Sequence, residues 1–273
     1  VWVLFGLPLT VLLLAPNGAR TESCNFDLSS LTADYSNAGR RSAVLRKESV
    51  QKEWDRLVER AVYRKKDVDG YVDLPKDELA LIDARPTELK CNASTFGEFN
   101  AVRLFSDPLF AMGGDDVLLD LGSGVGKAVL GGVLLFNASR GIGVELSRTR
   151  FKRSCKALEW LREALSADAC GARCLSRLEH PGSIEMQHGD LLQANISQAT
   201  VVIAFSTCYP ASIQRQLQAK LLRELRLGAR VYVPGHKGWI EELVFAGRTM
   251  VPLAYDFGHA YRVEVAGSEK GEL

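Results

Sequence analysis

Three glycines at alternate positions, Gly122, Gly124 and Gly126, follow an apolar run that carries an acid at its end, Val117-Leu-Leu-Asp120-Leu121, and lead straight into Lys127. Glycine at such a turn lets the backbone approach a ligand with no side chain between, and in an open parallel sheet ligands sit just beyond the carboxyl ends of the strands. The chemistry implied is the holding of a nucleotide-like cofactor. A phosphate-cradling P-loop needs glycine at position 121 and a hydroxyl at 128, where Leu121 and Ala128 stand. The dinucleotide fingerprint needs its third glycine at 127, which is Lys. Two further acids stand where strands should end. Gly141-Ile-Gly-Val-Glu145 reads as a strand closed by a carboxylate, whose acceptor lone pairs suit two ribose hydroxyls, and Gly189-Asp190 ends or follows another strand. Serine hydrolase chemistry lacks a Gly-x-Ser-x-Gly elbow. Cys170, Cys174 and His180 match no common zinc spacing and have no evident fourth ligand, so no metal site is assigned.

The elements that must position these residues follow from periodicity. From Val117 onward, short β-branched or Leu-rich runs alternate with amphipathic stretches: Val117–Leu121, Lys127–Asn137, Ile142–Glu145, Ser147–Leu165, Val201–Ser206, Ser212–Leu225 and Arg230–Val233. Alternating strand and helix predicts right-handed crossovers and a mostly parallel sheet covered on both faces. Tyr255–Val265 alternates around Gly258 and reads as a closing antiparallel hairpin. Upstream, Val50, Trp54, Leu57, Val58, Ala61 and Val62 recur at helical spacing within Arg40–Lys66, where ten basic residues face four acids, a net of +6. That segment is a solvated outer face or a contact for nucleic acid or an acidic partner. Residues 67–92 read as a connector with one short helix around Asp77–Ala84.

The pattern Asp-x-Gly-x-Gly-x-Gly resembles motif I of the class I methyltransferases that use S-adenosylmethionine. Together with Gly-Val-Glu145, Gly189-Asp-Leu-Leu and an upstream Thr95-Phe96-Gly97-Glu98, it resembles the disruptor-of-telomeric-silencing family, histone lysine methyltransferases that lack a SET domain. The likeness covers Thr95 to Lys237. It implies a Rossmann-like, doubly wound, mostly parallel seven-stranded α/β sheet preceded by an N-terminal helical segment. It implies S-adenosylmethionine held by Asp120, Gly122, Ser123, Gly124, Gly126 and Glu145, with Glu98 closing over it, Asp190 reading adenine and Ser206 at its methionine end. In that family the fourth strand ends in Asn-Asn-Phe, lining a lysine channel. Here the aligned residues are Phe205-Ser206-Thr207, followed by Cys208-Tyr209-Pro210, so Ser206, Thr207 and Tyr209 become the candidate catalytic acceptors. The expected activity is methylation of a protein lysine, with a histone or nucleosome as partner. A small-molecule or non-histone acceptor, and a non-catalytic cofactor-binding scaffold, are the alternatives.

Composition bounds these readings. The 273 residues are 47% apolar and 25% charged with a net charge of +1, enough for one sizeable core and against disorder or a uniformly basic surface. Six scattered cysteines do not make a disulfide scaffold. The division expected is an apolar leader over 1–20, a helical, partly basic segment over 21–94, the methyltransferase domain over 95–266 and a polar tail over 267–273. Val1–Ala15 has the apolar length of a signal core, or of a membrane anchor if uncleaved, and Lys270-Gly-Glu-Leu273 is one residue from an endoplasmic reticulum address. Asn-x-Ser sequons occur at Asn92, Asn137 and Asn195 but are not counted as sites. The termini point to the secretory route, whereas the family resemblance points to the nucleus.

Overall fold

The computed structural model describes residues 13–14, 20–29, 47–64, 66–82, 101–167, 182–233, 248–253 and 259–265. In chain order these form strands β1 (Leu13–Leu14) and β2 (Arg20–Asp27), then helix α1 (Lys47–Glu53), which continues as a π-helical stretch over Trp54–Tyr63. Short helices α2 (Lys76–Leu81) and α3 (Ala101–Phe105) lead to the alternating region: β3 (Val117–Leu121), α4 (Lys127–Phe136), β4 (Arg140–Glu145), α5 (Arg148–Ala167), β5 (Ser183–His188), β6 (Val201–Ala204), α6 (Ala211–Glu224) and β7 (Arg230–Val233). Strands β8 (Thr249–Leu253) and β9 (His259–Glu264) close the chain's sheet.

The sheet order is β1-β2-β5-β4-β3-β6-β7-β9-β8. The five central strands run parallel, β9 runs antiparallel to both β7 and β8, and β2 runs antiparallel to β5. Successive crossovers carry the chain outward from β3 through β4 to β5, then back across to β6 and outward again to β7. The switch point therefore lies between β3 and β6, above the glycine turn that follows β3, which is where an open α/β sheet leaves room for a ligand.

Side-chain alternation along β3 divides the core. Leu118 packs with Val129, Leu130 and Val133 of α4 and with Phe151 and Leu158 of α5 on one face. Leu119 and Leu121 pack with Leu217 and Leu221 of α6 on the other. The helix over 47–63 joins the first face through buried Trp54, Leu57, Val58 and Val62, as its periodicity predicts. Trp54 lies so close to α4 that a Cβ on Gly131 would stand 1.9 Å from its ring, so glycine at 131 is what lets this helix dock.

Three features differ from the sequence expectation. Among the described residues the sheet has nine strands, not seven, because β2 and β1 extend it beyond β5. Strand β2 falls in a segment expected to be helical; Arg-Thr-Glu-Ser-Cys-Asn-Phe-Asp is mostly polar, and over residues 22–27 the buried ones are Ser23 and Phe26, so periodicity gave no strand signal. The closing antiparallel pair is 249–253 with 259–264, beginning earlier than Tyr255. Pro252 disguises the first arm, but at a sheet edge its missing N–H is tolerated. Strand β2 is tied down covalently: Cys24 is disulfide-bonded to Cys155 of α5, with Cα atoms 5.8 Å apart.

Candidate active site

Asp120 is the fourth residue of β3, so it leaves the sheet just before the turn. Gly122, Gly124 and Gly126 take φ of 101°, 56° and 83°, the left-handed region that only glycine occupies without strain. The turn folds back on β4: the amides of Gly122 and Ser123 donate to the Val144 carbonyl, and the Gly124 amide donates to Glu145 Oε2 at 2.8 Å. Glu145 Oε1 accepts from the Ser147 amide at 2.8 Å. One carboxylate thus fixes both the turn after β3 and the entry to α5, and its remaining lone pairs stay available to a ligand.

A single cleft is lined by Asp120, Gly122, Ser123, Gly124, Glu145, Asp190 and Tyr209, with Phe205 and Pro210 beside them. Asp190 follows β5, with its Oδ1 accepting from the Leu192 amide at 2.8 Å. Gly126, Ser206 and Thr207 do not line it. Gly126 caps α4, and a Cβ there would meet the end of Met186 at 2.3 Å, so its smallness serves packing. Glu98, with Thr95, Phe96 and Gly97, lies outside the described residues, as do Cys170, Cys174, His180, Asn92, residues 1–12 and the last eight residues. Among the described residues, no cluster of metal-binding side chains occurs, and no helix is long and apolar enough to cross a membrane.

The site is electrostatically negative at its floor. Asp120, 4% exposed, is pushed up to about 7 by burial and by the nearby charge of Glu145. Burial also raises Glu145, against the opposing effects of the Ser147 amide, Arg150, the Gly124 amide and His188. Burial raises the Tyr209 phenol too, and Glu145 and Asp120 add to that. Two buried carboxylates in one cleft call for a cationic or hydroxyl-rich occupant. The hydroxyls of Ser123 and Ser206 are both buried with no hydrogen-bond partner in the protein, which in a native site marks polar capacity kept for a ligand or water. The donor set fits S-adenosylmethionine: acids for its ammonium and sulfonium charge, a carboxylate with spare lone pairs for its ribose, and a bare backbone turn for close approach.

Part of this cleft was not visible in the sequence. Trp54, Leu81 and Ile82 from the N-terminal segment line it, as does Arg150 from the first turn of α5. Arg150 is buried; burial lowers its guanidinium pKa, while the charges of Glu145 and Glu78 oppose that. Tyr63 donates its hydroxyl to the Val125 carbonyl at 2.7 Å, so the N-terminal helix braces the glycine turn itself. Lys127 pairs with Glu59 at 3.3 Å, on that helix, and its Nζ lies 5.3 Å from the Tyr63 ring centroid. This accounts for a lysine that follows a glycine turn without serving as a phosphate ligand. The helix's basic residues Lys52, Arg56 and Arg60 remain exposed, with Arg56 paired to Glu53 at 2.6 Å.

A central parallel sheet with this switch point, an antiparallel β9 inserted between β7 and β8, and acids at the ends of β3 and β4 around a glycine turn define a class I S-adenosylmethionine-dependent methyltransferase fold. The chain belongs to the family described as Histone methylation protein DOT1, whose model matches residues 92–234, from just before α3 through β7. Among curated proteins, it is 29% identical over 117 residues to a protein-lysine N-methyltransferase of Saccharolobus islandicus, covering 43% of this chain and 60% of that one. It is 26% identical over 146 residues to the histone-lysine N-methyltransferase, H3 lysine-79 specific, of Caenorhabditis elegans, covering 51% of this chain and 14% of that one. Among solved structures, a putative RNA methyltransferase from Pyrococcus horikoshii superposes with a TM-score of 0.41 at 16% identity, over 84% of this chain and all of that one.

Proposed function

We propose that this protein transfers a methyl group from S-adenosylmethionine to the ε-amine of a lysine in a protein substrate. The observation that carries the reading is the buried Asp120–Glu145 pair at the mouth of the glycine turn, inside the segment matched by the family model. The cofactor supplies an electrophilic methyl on a sulfonium. The protein's task is then positioning, because methyl transfer of this kind needs no covalent enzyme intermediate.

In this reading Asp120 faces the positive end of the cofactor, Glu145 takes the ribose hydroxyls, Asp190 takes the adenine amine, and Gly122, Ser123 and Gly124 form the floor. Phe205, Ser206, Thr207 and Tyr209 follow β6, on the side where the acceptor must enter. A lysine reacts only as the neutral amine, and its ordinary pKa is near 10.4, so the site must strip water from it and offer acceptors that aim its lone pair. The Tyr209 phenol, which lines the cleft, is the group suited to that work.

Calorimetry with S-adenosylmethionine tests the first half: wild type binds and Glu145→Ala does not. Mass spectrometry of nucleosomes and of total protein incubated with the enzyme and cofactor tests the second, with a methylated lysine as the expected product. Label on RNA or on small molecules alone would overturn it. The relative named for histone H3 lysine 79 makes nucleosomes the first acceptor to try. The Cys24–Cys155 bond favours a second reading, a non-histone protein that shares an oxidising compartment with the enzyme.

A further inference from the structure

Of the three Asn-x-Ser sequons, two lie on described residues, and the fold treats them oppositely. Asn137 ends α4 in the left-handed conformation, φ 62°, and its side-chain oxygen is buried. The serine of its sequon, Ser139, donates its hydroxyl to the Asp116 carbonyl at 2.8 Å, inside the seam between β3 and the α4–β4 connection. That sequon is locked in packing. Asn195-Ile-Ser197 sits in the loop between β5 and β6, with Asn195 and Ser197 exposed and Ile196 fully buried between them. Ile196 anchors the loop in the core, so the two polar residues are held outward. Asn195 Oδ1 accepts from both the Ser197 amide at 3.1 Å and the Ser197 hydroxyl at 2.8 Å. The asparagine amide is thereby presented with its carbonyl oxygen polarised by the serine of its own sequon.

An independent observation concerns the compartment. Cys24 and Cys155, 131 residues apart in sequence, are disulfide-bonded, and Cys208, in the loop that follows β6, is disulfide-bonded as well. Disulfides persist in secretory and extracellular environments and are rare where glutathione keeps thiols reduced. An exposed sequon becomes a glycosylation acceptor in the same environments.

We propose that this chain matures in an oxidising secretory compartment and carries an N-linked glycan on Asn195. The co-reactant is an oligosaccharide carried on a lipid pyrophosphate. The amide nitrogen of Asn195 forms a bond to the anomeric carbon of the sugar. The bond from that carbon to the pyrophosphate oxygen breaks, the lipid pyrophosphate leaves with the electron pair, and one amide proton passes to a base on the transferase. The loop carries this site away from the cleft. Five residues before Asn195, Asp190 lines the pocket; three residues after it, Gln198 accepts from Arg140 at the start of β4, and Thr200 Oγ1 accepts from the Val117 amide at the start of β3. A glycan here therefore leaves the ligand side open.

The test is the full-length chain expressed in eukaryotic cells and purified without reductant, with thiols blocked by an alkylating agent at lysis. The expected results are a faster-migrating band after peptide N-glycosidase, loss of that shift in Asn195→Gln with no loss in Asn137→Gln, and conversion of Asn195 to heavy-oxygen Asp when the enzyme acts in heavy-oxygen water. Cys24 and Cys155 should resist alkylation. An unshifted band, a shift that Asn195→Gln leaves undiminished, or alkylated Cys24 and Cys155 would each overturn the proposal. None of these readouts depends on methyl transfer, so they are separable from the test of the catalytic reading.

Discussion

The carboxylate of Glu78 on α2 holds the first turn of α5 through Thr149, although the two residues are 71 apart: Thr149 Oγ1 donates to Glu78 Oε1 at 2.7 Å, and the Thr149 amide donates to the same group at 3.1 Å. Ser147 Oγ donates to Glu78 Oε2 at 2.7 Å. An anion at the N-terminal end of a 20-residue helix is well placed for its dipole. Through this contact α2 brings Leu81 and Ile82 to the cleft, next to Glu145 and Arg150.

Replacing Glu78 should therefore damage cofactor binding from outside the cofactor's own contacts. Glu78→Ala is expected to cost about 1.5–3 kcal/mol of stability, the range for hydrogen bonds to a charged group, and to weaken S-adenosylmethionine binding; Glu78→Gln, which keeps the shape and one acceptor oxygen but no charge, should recover part of both. Burial alone would raise the Glu78 carboxyl, but the Ser147 and Thr149 hydrogen bonds and His188 outweigh it and hold it below its ordinary 4.5. A lowered carboxyl stabilises the fold above its unfolded value and loses that contribution as pH falls through the folded one. The wild type's advantage over Glu78→Gln in thermal melts should thus be full at neutral pH and vanish in acid below 4.5.

Asp120 carries the opposite sign. Its carboxyl, raised to about 7 from 3.8 by burial and by Glu145, binds its proton more tightly folded than unfolded. Without ligand it costs stability progressively as pH rises from 3.8 to about 7, and by a constant amount above that. Asp120→Asn removes the cost, which is on the order of 4 kcal/mol at about 1.4 kcal/mol per tenfold change in proton affinity. Ligand-free Asp120→Asn should melt higher than wild type above pH 7 and equal to it near pH 3.8. The same variant should bind S-adenosylmethionine about 10–100-fold more weakly, the loss expected for one charge-assisted partner. Differential scanning fluorimetry across pH, paired with calorimetry, checks both; a variant destabilised at high pH would contradict this account.

The parts of the site that lie on the parallel strands were legible because strand, glycine turn and terminal acid are adjacent in sequence: Val117–Leu121 was read to the residue, and Asp120, Glu145 and Asp190 do converge on one cleft. The wall formed by Trp54, Leu81 and Ile82 was not, since nothing local in an amphipathic helix says which groove it will cover. Glu78 likewise looked like one acid among several on a short helix; its role depends on Thr149, far off in sequence. Strand β2 was hidden by its polar composition, and the pairing of Cys24 with Cys155 by the impossibility of choosing partners among six cysteines without coordinates.

Gly122 and Tyr209 make a second test of the turn. At φ 101° any side chain at 122 is strained, and a Cβ there would stand 2.5 Å from the Tyr209 hydroxyl oxygen. Gly122→Ala should weaken cofactor binding by roughly tenfold or more, given about 1–2 kcal/mol for the left-handed backbone alone. Tyr209→Phe removes the oxygen and not the ring, so in the Gly122→Ala background it should restore part of the affinity, while in the wild-type background it should lower the methyl-transfer rate more than it changes cofactor affinity. A double-mutant cycle measures the coupling. Strictly additive effects would mean that the phenol and the turn do not share the space.

The covalent tie between β2 and α5 yields the final expectation. Closing a loop of 131 residues restricts the unfolded chain, and the chain-entropy account puts that at about 5 kcal/mol. For a domain of this size such a loss lowers the melting midpoint by roughly 10–20 °C. The pair Cys24→Ala with Cys155→Ala should show that drop without reductant, and reductant should produce at least as large a drop in wild type, since it also opens the bond at Cys208. Adding reductant to the double variant then isolates what the disulfide at Cys208 contributes, because that bond remains. Cofactor affinity measured well below the midpoint without reductant should be the same in wild type and the double variant, since neither Cys24 nor Cys155 lines the cleft. A double variant that melts with wild type would mean that β2 is held by its six-residue pairing with β5 alone.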